Sequence, residues 1–257
     1  MSPTETLSRP SSDHRLRLLA EGAPTDHPSP PAIPARIDRA RRIADIAISA
    51  TALLVLLPVF IILAIAVRAT SKGPVFYQQI RVGQNRRDGE RRHGMAAGPT
   101  DRRRTDRRRG RAYGRPFRIY KFRTMVVNAE EYGPQWSSRN DVRITAIGRL
   151  LRLTRLDETP QFLNVLKGDM SIIGPRPERP FFVDQFAENI PAYAERLRVR
   201  PGITGRAQVS LDYDTSIDDV KKKLEQDLEY VRNRTLLQDF KILLRTVGVI
   251  VTGRGAC

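Results

Sequence analysis

Two adjacent carboxylates, Asp157 and Glu158, stand in a cationic run, with Arg149, Arg152 and Arg155 before them and Lys167 after. Side-by-side carboxylates repel. Both stay ionised cheaply only where cations, a metal or oriented backbone N–H groups compensate them, which is also the equipment of a phosphate-handling site. The bland reading of the same pair is helix capping with surface salt bridges. Thr159-Pro160 reads as an N-cap followed by a first helical residue, and Lys167-Gly168 as a basic last turn with a terminating glycine. That spacing predicts a short helix from about Pro160 to Lys167. The carboxylates would lie just outside its N-terminus, where the helix dipole favours an ionised carboxylate or a phosphate.

Other cations are placed to serve such a site. The aromatic and β-branched run Phe117–Met125 predicts a strand that puts Lys121 and Arg123 on one face, able to hold a diphosphate or simply to form a solvated edge. The segment Ile147–Leu156 reads as an amphipathic helix that carries Arg149, Arg152 and Arg155 toward the acidic pair. In Ser171–Pro180 the prolines exclude a regular helix or a central strand and predict a rigid loop, with Arg176 fixed between Pro175 and Pro177. An arginine held in this way loses little entropy on gripping two phosphate oxygens. The turn Arg200–Arg206 again sets arginines around Pro-Gly punctuation.

The composition narrows the partners. A 257-residue chain with 40% hydrophobic residues can fill a core, and its net charge of +17 implies an anionic partner: nucleic acid, a membrane surface or a phosphorylated substrate. Twelve arginines against four acidic residues between Arg86 and Arg115 carry nearly half of that excess. This stretch lacks apolar periodicity and is predicted to be a flexible insertion. It offers only Tyr113 for base stacking and follows an apolar run, so lipid headgroups suit it better than nucleic acid. A single cysteine, Cys257, excludes an internal disulfide or a cysteine-based metal site. His14, His27 and His93 fall in segments without structural signature, which argues against a histidine triad or a zinc site. Residues 1–34, rich in Ser, Pro and charge, are expected to form a disordered tail and have no signal-peptide pattern.

Ile46–Val67 has no charge and is long enough to cross a bilayer. Arg36, Arg39, Arg41 and Arg42 precede it and Arg68, Lys72 and Arg81 follow, so both flanks carry the cytoplasmic bias. Pro58 near the middle permits a bend that returns the chain to the face it entered. The alternative is a kinked spanning helix. From about Ile217 to Val251 the spacing is helical, with Leu236, Leu237, Phe240, Leu243, Leu244, Val247 and Val251 on one face for core packing or for a membrane interface.

Five motifs carry a resemblance: Lys121-Phe-Arg-Thr-Met125, Leu156-Asp-Glu-Thr-Pro-Gln161, Asn164-Val-Leu-Lys-Gly-Asp-Met-Ser171, Gly174-Pro-Arg-Pro177 and Arg200-Pro-Gly-Ile-Thr-Gly205. Over roughly Arg39–Thr252 the chain resembles the bacterial sugar transferases of the monotopic phosphoglycosyl transferase family. The resemblance implies a mainly helical α+β protein with a re-entrant membrane anchor over 35–70 and a catalytic domain over 71–257. It implies transfer of a sugar-1-phosphate from a UDP-sugar to undecaprenyl phosphate at the cytoplasmic face of the bacterial inner membrane, as a first step in polysaccharide or glycoconjugate assembly. Asp157 would be the nucleophile and a Mg2+ ligand, and Glu158 would assist attack by the acceptor. Arg152 and Arg176 would contact substrate phosphates, with Lys121, Arg123 and Arg200 as further binding residues and Pro58 as the helix break. Anionic lipids are implied partners, nucleic acid is not, and a homodimer is left open. An inactive scaffold is the competing class, against which the retention of both carboxylates speaks.

Overall fold

The apolar run and the Pro-Gly punctuation divide the chain into one long helix and a series of short elements. The computed structural model describes residues 35–85, 113–129, 141–190, 192–211 and 217–252; the expected tail, nearly all of the Arg-rich insertion, the three histidines and Cys257 lie outside them. Helix α1 (Ala35–Thr70) contains the whole apolar run and continues through Pro58. Strands β1 (Phe76–Val82) and β2 (Pro116–Phe122) form an antiparallel pair in which Tyr77 faces Lys121 and Arg81 faces Phe117. Helix α2 (Ala146–Leu153) leads to a 3-10 turn at Leu156–Gln161, then to α3 (Phe162–Lys167) and β3 (Ser171–Ile173). Helix α4 (Pro180–Asn189), a second 3-10 turn (Tyr193–Arg198), β4 (Gly202–Thr204), α5 (Arg206–Ser210), α6 (Ile217–Asn233) and α7 (Leu236–Thr252) complete the order. The expected mainly helical α+β class is what forms.

Both ends of α1 are fastened to the same domain. Near its start, Arg42 donates to the Val165 and Leu166 carbonyls at 2.6 and 2.9 Å, neutralising the C-terminal end of α3. Asp45 accepts from the Ile172 backbone N–H at 2.9 Å, and Arg41 pairs with Asp239 at 2.6 Å. Near its end, Leu63 and Val67 pack with Phe122 and Leu151, and Phe60 meets the Phe122 ring edge-on. The middle stays bare, with Leu54, Val55, Ile61 and Ile62 more than half exposed.

Two loops rich in Gly and Pro act as one unit because β3 and β4, each a three-residue strand flanked by prolines, pair in parallel. Gly174, Gly202 and Gly205 let the backbones meet: a Cβ on Gly202 would stand 2.1 Å from the Gly174 nitrogen, and one on Gly205 would stand 2.2 Å from the Gly174 carbonyl oxygen. Gly202→Ala therefore forces backbone apart in a packed region. It is expected to lower stability by at least about 3 kcal/mol, the upper range for overpacking. Thermal melting of the purified variant checks this, and an unchanged melting temperature would show that the loops separate freely.

Where the sequence predicted one C-terminal helical run, the chain breaks at Arg234-Thr235 into α6 and α7. The Thr235 hydroxyl caps the second helix by accepting from the Gln238 N–H at 3.1 Å. Most of the apolar row of α7 is not core: Leu236, Leu237, Phe240, Leu244, Val247 and Val251 are exposed, Leu243 alone of the row packs against the core, and the buried positions are Asp239 and Ile242.

Candidate active site

The acidic pair lies inside the 3-10 turn, not outside the N-terminus of α3 as the Thr-Pro spacing predicted. The Thr159 hydroxyl donates to the Leu156 carbonyl at 2.7 Å, closing the turn around the pair, so α3 begins only at Phe162. Arg155 enters the turn at φ 58°, a left-handed conformation that costs a non-glycine residue on the order of 1 kcal/mol. This reversal swings the chain from α2 back across β2.

Glu158 is held by two cations. Lys121 Nζ reaches its Oε1 at 2.6 Å, while Arg176 donates to Oε1 at 2.7 Å and to Oε2 at 3.3 Å. Burial opposes its charge, but Arg176 and Lys121 outweigh that and hold Glu158 well below the ordinary carboxylate range. Burial also pulls Lys121 below its usual value, against the attraction of Glu158. Asp157 is different. It is buried, and its carboxylate forms no hydrogen bond or ion pair among the described residues. Burial, and then the charge of Glu158, push it up to about 6, with Lys121, Arg152 and Arg176 pulling the other way. One carboxylate is thus spent on positioning cations and its neighbour is left free.

Each cation has its own support. Arg152 donates from Nε to the Thr124 hydroxyl at 3.0 Å. The carbonyl of Thr124 accepts from the Thr145 N–H, the residue that caps α2, and Gly148 leaves room for that carbonyl. Lys121 is fixed through β2, whose backbone is bonded on both sides of Ile119 by the fully buried Asn164: its Oδ1 accepts from Tyr120 N and its Nδ2 donates to Arg118 O. The loop Pro175-Arg176-Pro177 contains two residues without N–H groups, and donors from elsewhere take all three of its carbonyls. Gly202 N bonds Pro175 O, Arg196 bonds Arg176 O and Arg81 bonds Pro177 O, at 3.0 Å each. Arg196 is itself buried against Asp227 at 2.7 Å. The rigid loop expected from the prolines is present, and its rigidity comes from these donors as well as from the rings.

Lys121, Arg152 and Arg176 therefore surround the carboxylate pair, whereas Arg123 and Arg200 do not. Strand β2 ends at Phe122, and the Arg123 guanidinium turns to the Ser71 and Lys72 carbonyls at 2.7 and 3.0 Å, tying down the exit of α1. Arg200 lies near Asp45 at the other end of that helix. The shared face foreseen for Lys121 and Arg123 fails because the strand stops between them. Thr124, Asn164, Arg196 and Arg81, which support the site, escaped sequence reasoning. Thr124 and Asn164 stand inside the quoted motifs, but no periodicity marks Arg196 or Arg81.

A profile of the bacterial sugar transferases matches residues 37–90 and 103–253. Over 216 residues, 84% of this chain is 41% identical to 44% of a UDP-N-acetylgalactosamine-undecaprenyl-phosphate N-acetylgalactosaminephosphotransferase from Aeromonas hydrophila. A UDP-glucose:undecaprenyl-phosphate glucose-1-phosphate transferase from Klebsiella pneumoniae is 35% identical, with 80% of this chain matching 39% of that protein. A protein of the same description from Caulobacter vibrioides is 34% identical, with 84% of this chain covering 71% of it. The chain spans about two fifths of the length of the first two. With the profile running across α1, the carboxylate turn and both Gly-Pro loops, this chain belongs to the bacterial sugar transferase family.

Proposed function

We propose that the protein is a phosphoglycosyl transferase that moves a sugar-1-phosphate from a UDP-sugar to undecaprenyl phosphate. The observation that carries this reading is the free, buried Asp157 carboxylate beside a Glu158 that already holds two cations. A carboxylate oxygen of Asp157 bonds to the sugar-linked phosphorus while the bond from that phosphorus to the bridging oxygen breaks, and UMP leaves with the electron pair. A phosphate oxygen of the acceptor then bonds to the same phosphorus as the Asp157–phosphorus bond breaks, regenerating the carboxylate. Lys121, Arg152 and Arg176 take up negative charge on the phosphoryl oxygens. Glu158, held ionised, is a poor proton acceptor at neutral pH, and an acceptor phosphate needs little deprotonation there. Its part is to position Lys121 and Arg176 rather than to activate the acceptor.

Magnesium suits this donor set. Among the described residues no three carboxylate, histidine or cysteine side chains cluster, so the chain would supply one or two ligands and substrate phosphates the others, the usual arrangement for this ion. Asp157 would hold it, and the ion would neutralise charge on the diphosphate.

The membrane reading that fits is a re-entrant anchor. An α-helix of 36 residues extends about 54 Å, well beyond a 30 Å hydrocarbon core, yet both its ends bond to one domain while its middle is bare. A helix with its ends on opposite faces of a bilayer would separate those contacts. The cationic flanks favour a domain on the cytoplasmic side of the inner membrane. The exposed apolar row of α7, together with Leu150 and Leu153 beside Arg149 on α2, suits an interface with anionic lipids. Pro58 would be the point of bending.

The test is product identity. With magnesium, undecaprenyl phosphate and a panel of UDP-sugars, the detergent-purified protein is expected to release UMP and to form a polyprenyl diphosphate sugar. UDP as the released nucleotide would mean glycosyl transfer and would sink the reading.

A further inference from the structure

Val183 and Phe186 of α4, Leu197 of the second 3-10 turn and Val220, Leu224 and Leu228 of α6 belong to one buried apolar cluster, and two charged residues on the same elements, Arg196 and Asp227, are buried as well. One terminal nitrogen of the Arg196 guanidinium meets the Asp227 carboxylate at 2.7 Å, and the other donates to the Tyr193 hydroxyl at 2.8 Å. The Nε of Arg196 is buried with no hydrogen-bond partner among the described residues. An ion pair taken out of water in this way is often no better for stability than apolar side chains of similar volume, so stability alone is a weak reason for it. What Arg196 reaches supplies another. The nitrogen that pairs with Asp227 also donates to the Arg176 carbonyl at 3.0 Å.

Arg176 is therefore gripped at both ends, by Glu158 at its guanidinium and by Arg196 at its backbone. The two grips differ once a substrate is bound. A phosphoryl group competes with Glu158 for the guanidinium, whereas the bond from Arg196 to the carbonyl takes no part in that competition. It keeps the backbone of Arg176 in place while the side chain exchanges partners. Resting on the phosphosugar reading above, we propose that Arg196, braced by Asp227 of α6 and by Tyr193, is a positioning residue that fixes the backbone from which Arg176 meets the phosphoryl oxygens and that acts on transfer only through Arg176. The buried pair is then a brace for the rigid loop, set in a core that apolar side chains would fill equally well. The sensitivity of phosphoryl transfer to the placement of such a group is large: an error of about 1 Å costs on the order of 10²-fold in rate.

The test is made in the full chain, with UMP release measured in the presence of magnesium, undecaprenyl phosphate and the UDP-sugar that the unmodified protein uses best. Replacing the pair together, Arg196→Met with Asp227→Leu, removes both charges and keeps apolar volume in their place. Melting is expected not to fall, while kcat drops by about tenfold or more with a smaller change in KM, because a misplaced Arg176 still attracts the diphosphate but no longer matches the transition state. In an Arg176→Ala background, whose residual transfer sets the baseline, the same two replacements are expected to lower kcat by less than about twofold, since a group that acts only through Arg176 has nothing left to act on. Normal transfer in the Arg196→Met, Asp227→Leu protein overturns the proposal. An equal fold-loss with and without Arg176 overturns it too, being the mark of a merely structural tie between α6 and the 3-10 turn. If that protein does not fold, Asp227→Asn, which keeps the shape of the side chain and weakens only the brace, carries the same comparison, with a loss of about threefold or more expected in kcat and none beyond Arg176→Ala. UDP released in place of UMP by the unmodified protein would remove the phosphosugar reading itself, a failure seen before any variant is made and distinct from the failure of the brace.

Discussion

Asp157→Asn is expected to abolish phosphosugar transfer, by at least about 10³-fold in UMP release, and at the same time to make the metal-free protein more stable at neutral pH. The two effects share one cause. Burial and the neighbouring charge of Glu158 raise Asp157 from 3.8 to about 6, so the ionised form that the proposed attack on phosphorus requires is the form the fold disfavours. Below about pH 4 the group is protonated whether the chain is folded or unfolded, and it costs nothing. As the pH rises from 4 to 6 the unfolded chain gives up this proton before the folded one does, and stability is lost. Above pH 6 the loss is complete, at about 3 kcal/mol for a difference of roughly two units. An asparagine of the same shape avoids that cost, so the gain in melting temperature should be present at pH 7 and vanish near pH 4. In the unmodified protein, transfer should fall on the acid side as Asp157 becomes protonated, with the limb below pH 6 when magnesium on the carboxylate favours its ionised form. The nucleophile assignment would be refuted by residual transfer within tenfold of the unmodified protein, and the electrostatic account by an Asn variant that melts lower at pH 7. A buried carboxylate held at the expense of stability is a familiar feature of functional sites.

How far these features could be read from the sequence depended on how local their causes were. The apolar run, the strand at Phe117 and the fixed Arg176 follow from composition and from proline stereochemistry, and all are present. Asp157, Glu158, Lys121, Arg152 and Arg176 were identifiable as residue types suited to phosphate, and the fold gathers them. The choice between capping and chemistry was not readable, since it turns on which carboxylate the two cations select. That is decided by β2 lying over the turn, a contact between residues 37 apart in the chain. The N-cap reading of Thr159 failed because its hydroxyl found the Leu156 carbonyl, a competition that a Thr-Pro dipeptide alone does not reveal. Arg123 was misplaced because a strand boundary fell one residue early, turning a neighbour of Lys121 into a clamp on α1. The exposed row on α7 has the same periodicity as a core helix. Only the packing around Asp239 and Ile242 shows which face is buried.

Glu158→Gln tests the division of labour from the other side and should be damaging where Asp157→Asn is stabilising. The carboxylate holds Lys121 and Arg176 together in a largely buried triad, with Lys121 and Glu158 both less than a fifth exposed. Removing its charge leaves the two cations facing each other without the anion that bonds both of them. Breaking a buried pair costs about 3–5 kcal/mol, and the lower figure applies because Arg176, 36% exposed, recovers water. Melting of the variant should fall accordingly, and transfer should drop on the order of 10²-fold as the phosphate-holding groups lose their register. A merely structural role for Glu158 would stop there. If Glu158 also sets the charge state of the nucleophile, its loss removes the repulsion that helps to raise Asp157 and leaves Lys121 and Arg176 to favour the ionised form, so the acid limb of residual activity should move to lower pH. A limb that stays in Glu158→Gln where it lies in the unmodified protein would mean that burial alone governs Asp157. A limb that moves upward would mean that the cations had followed their lost partner away from the nucleophile, and that the pair does not work as a unit.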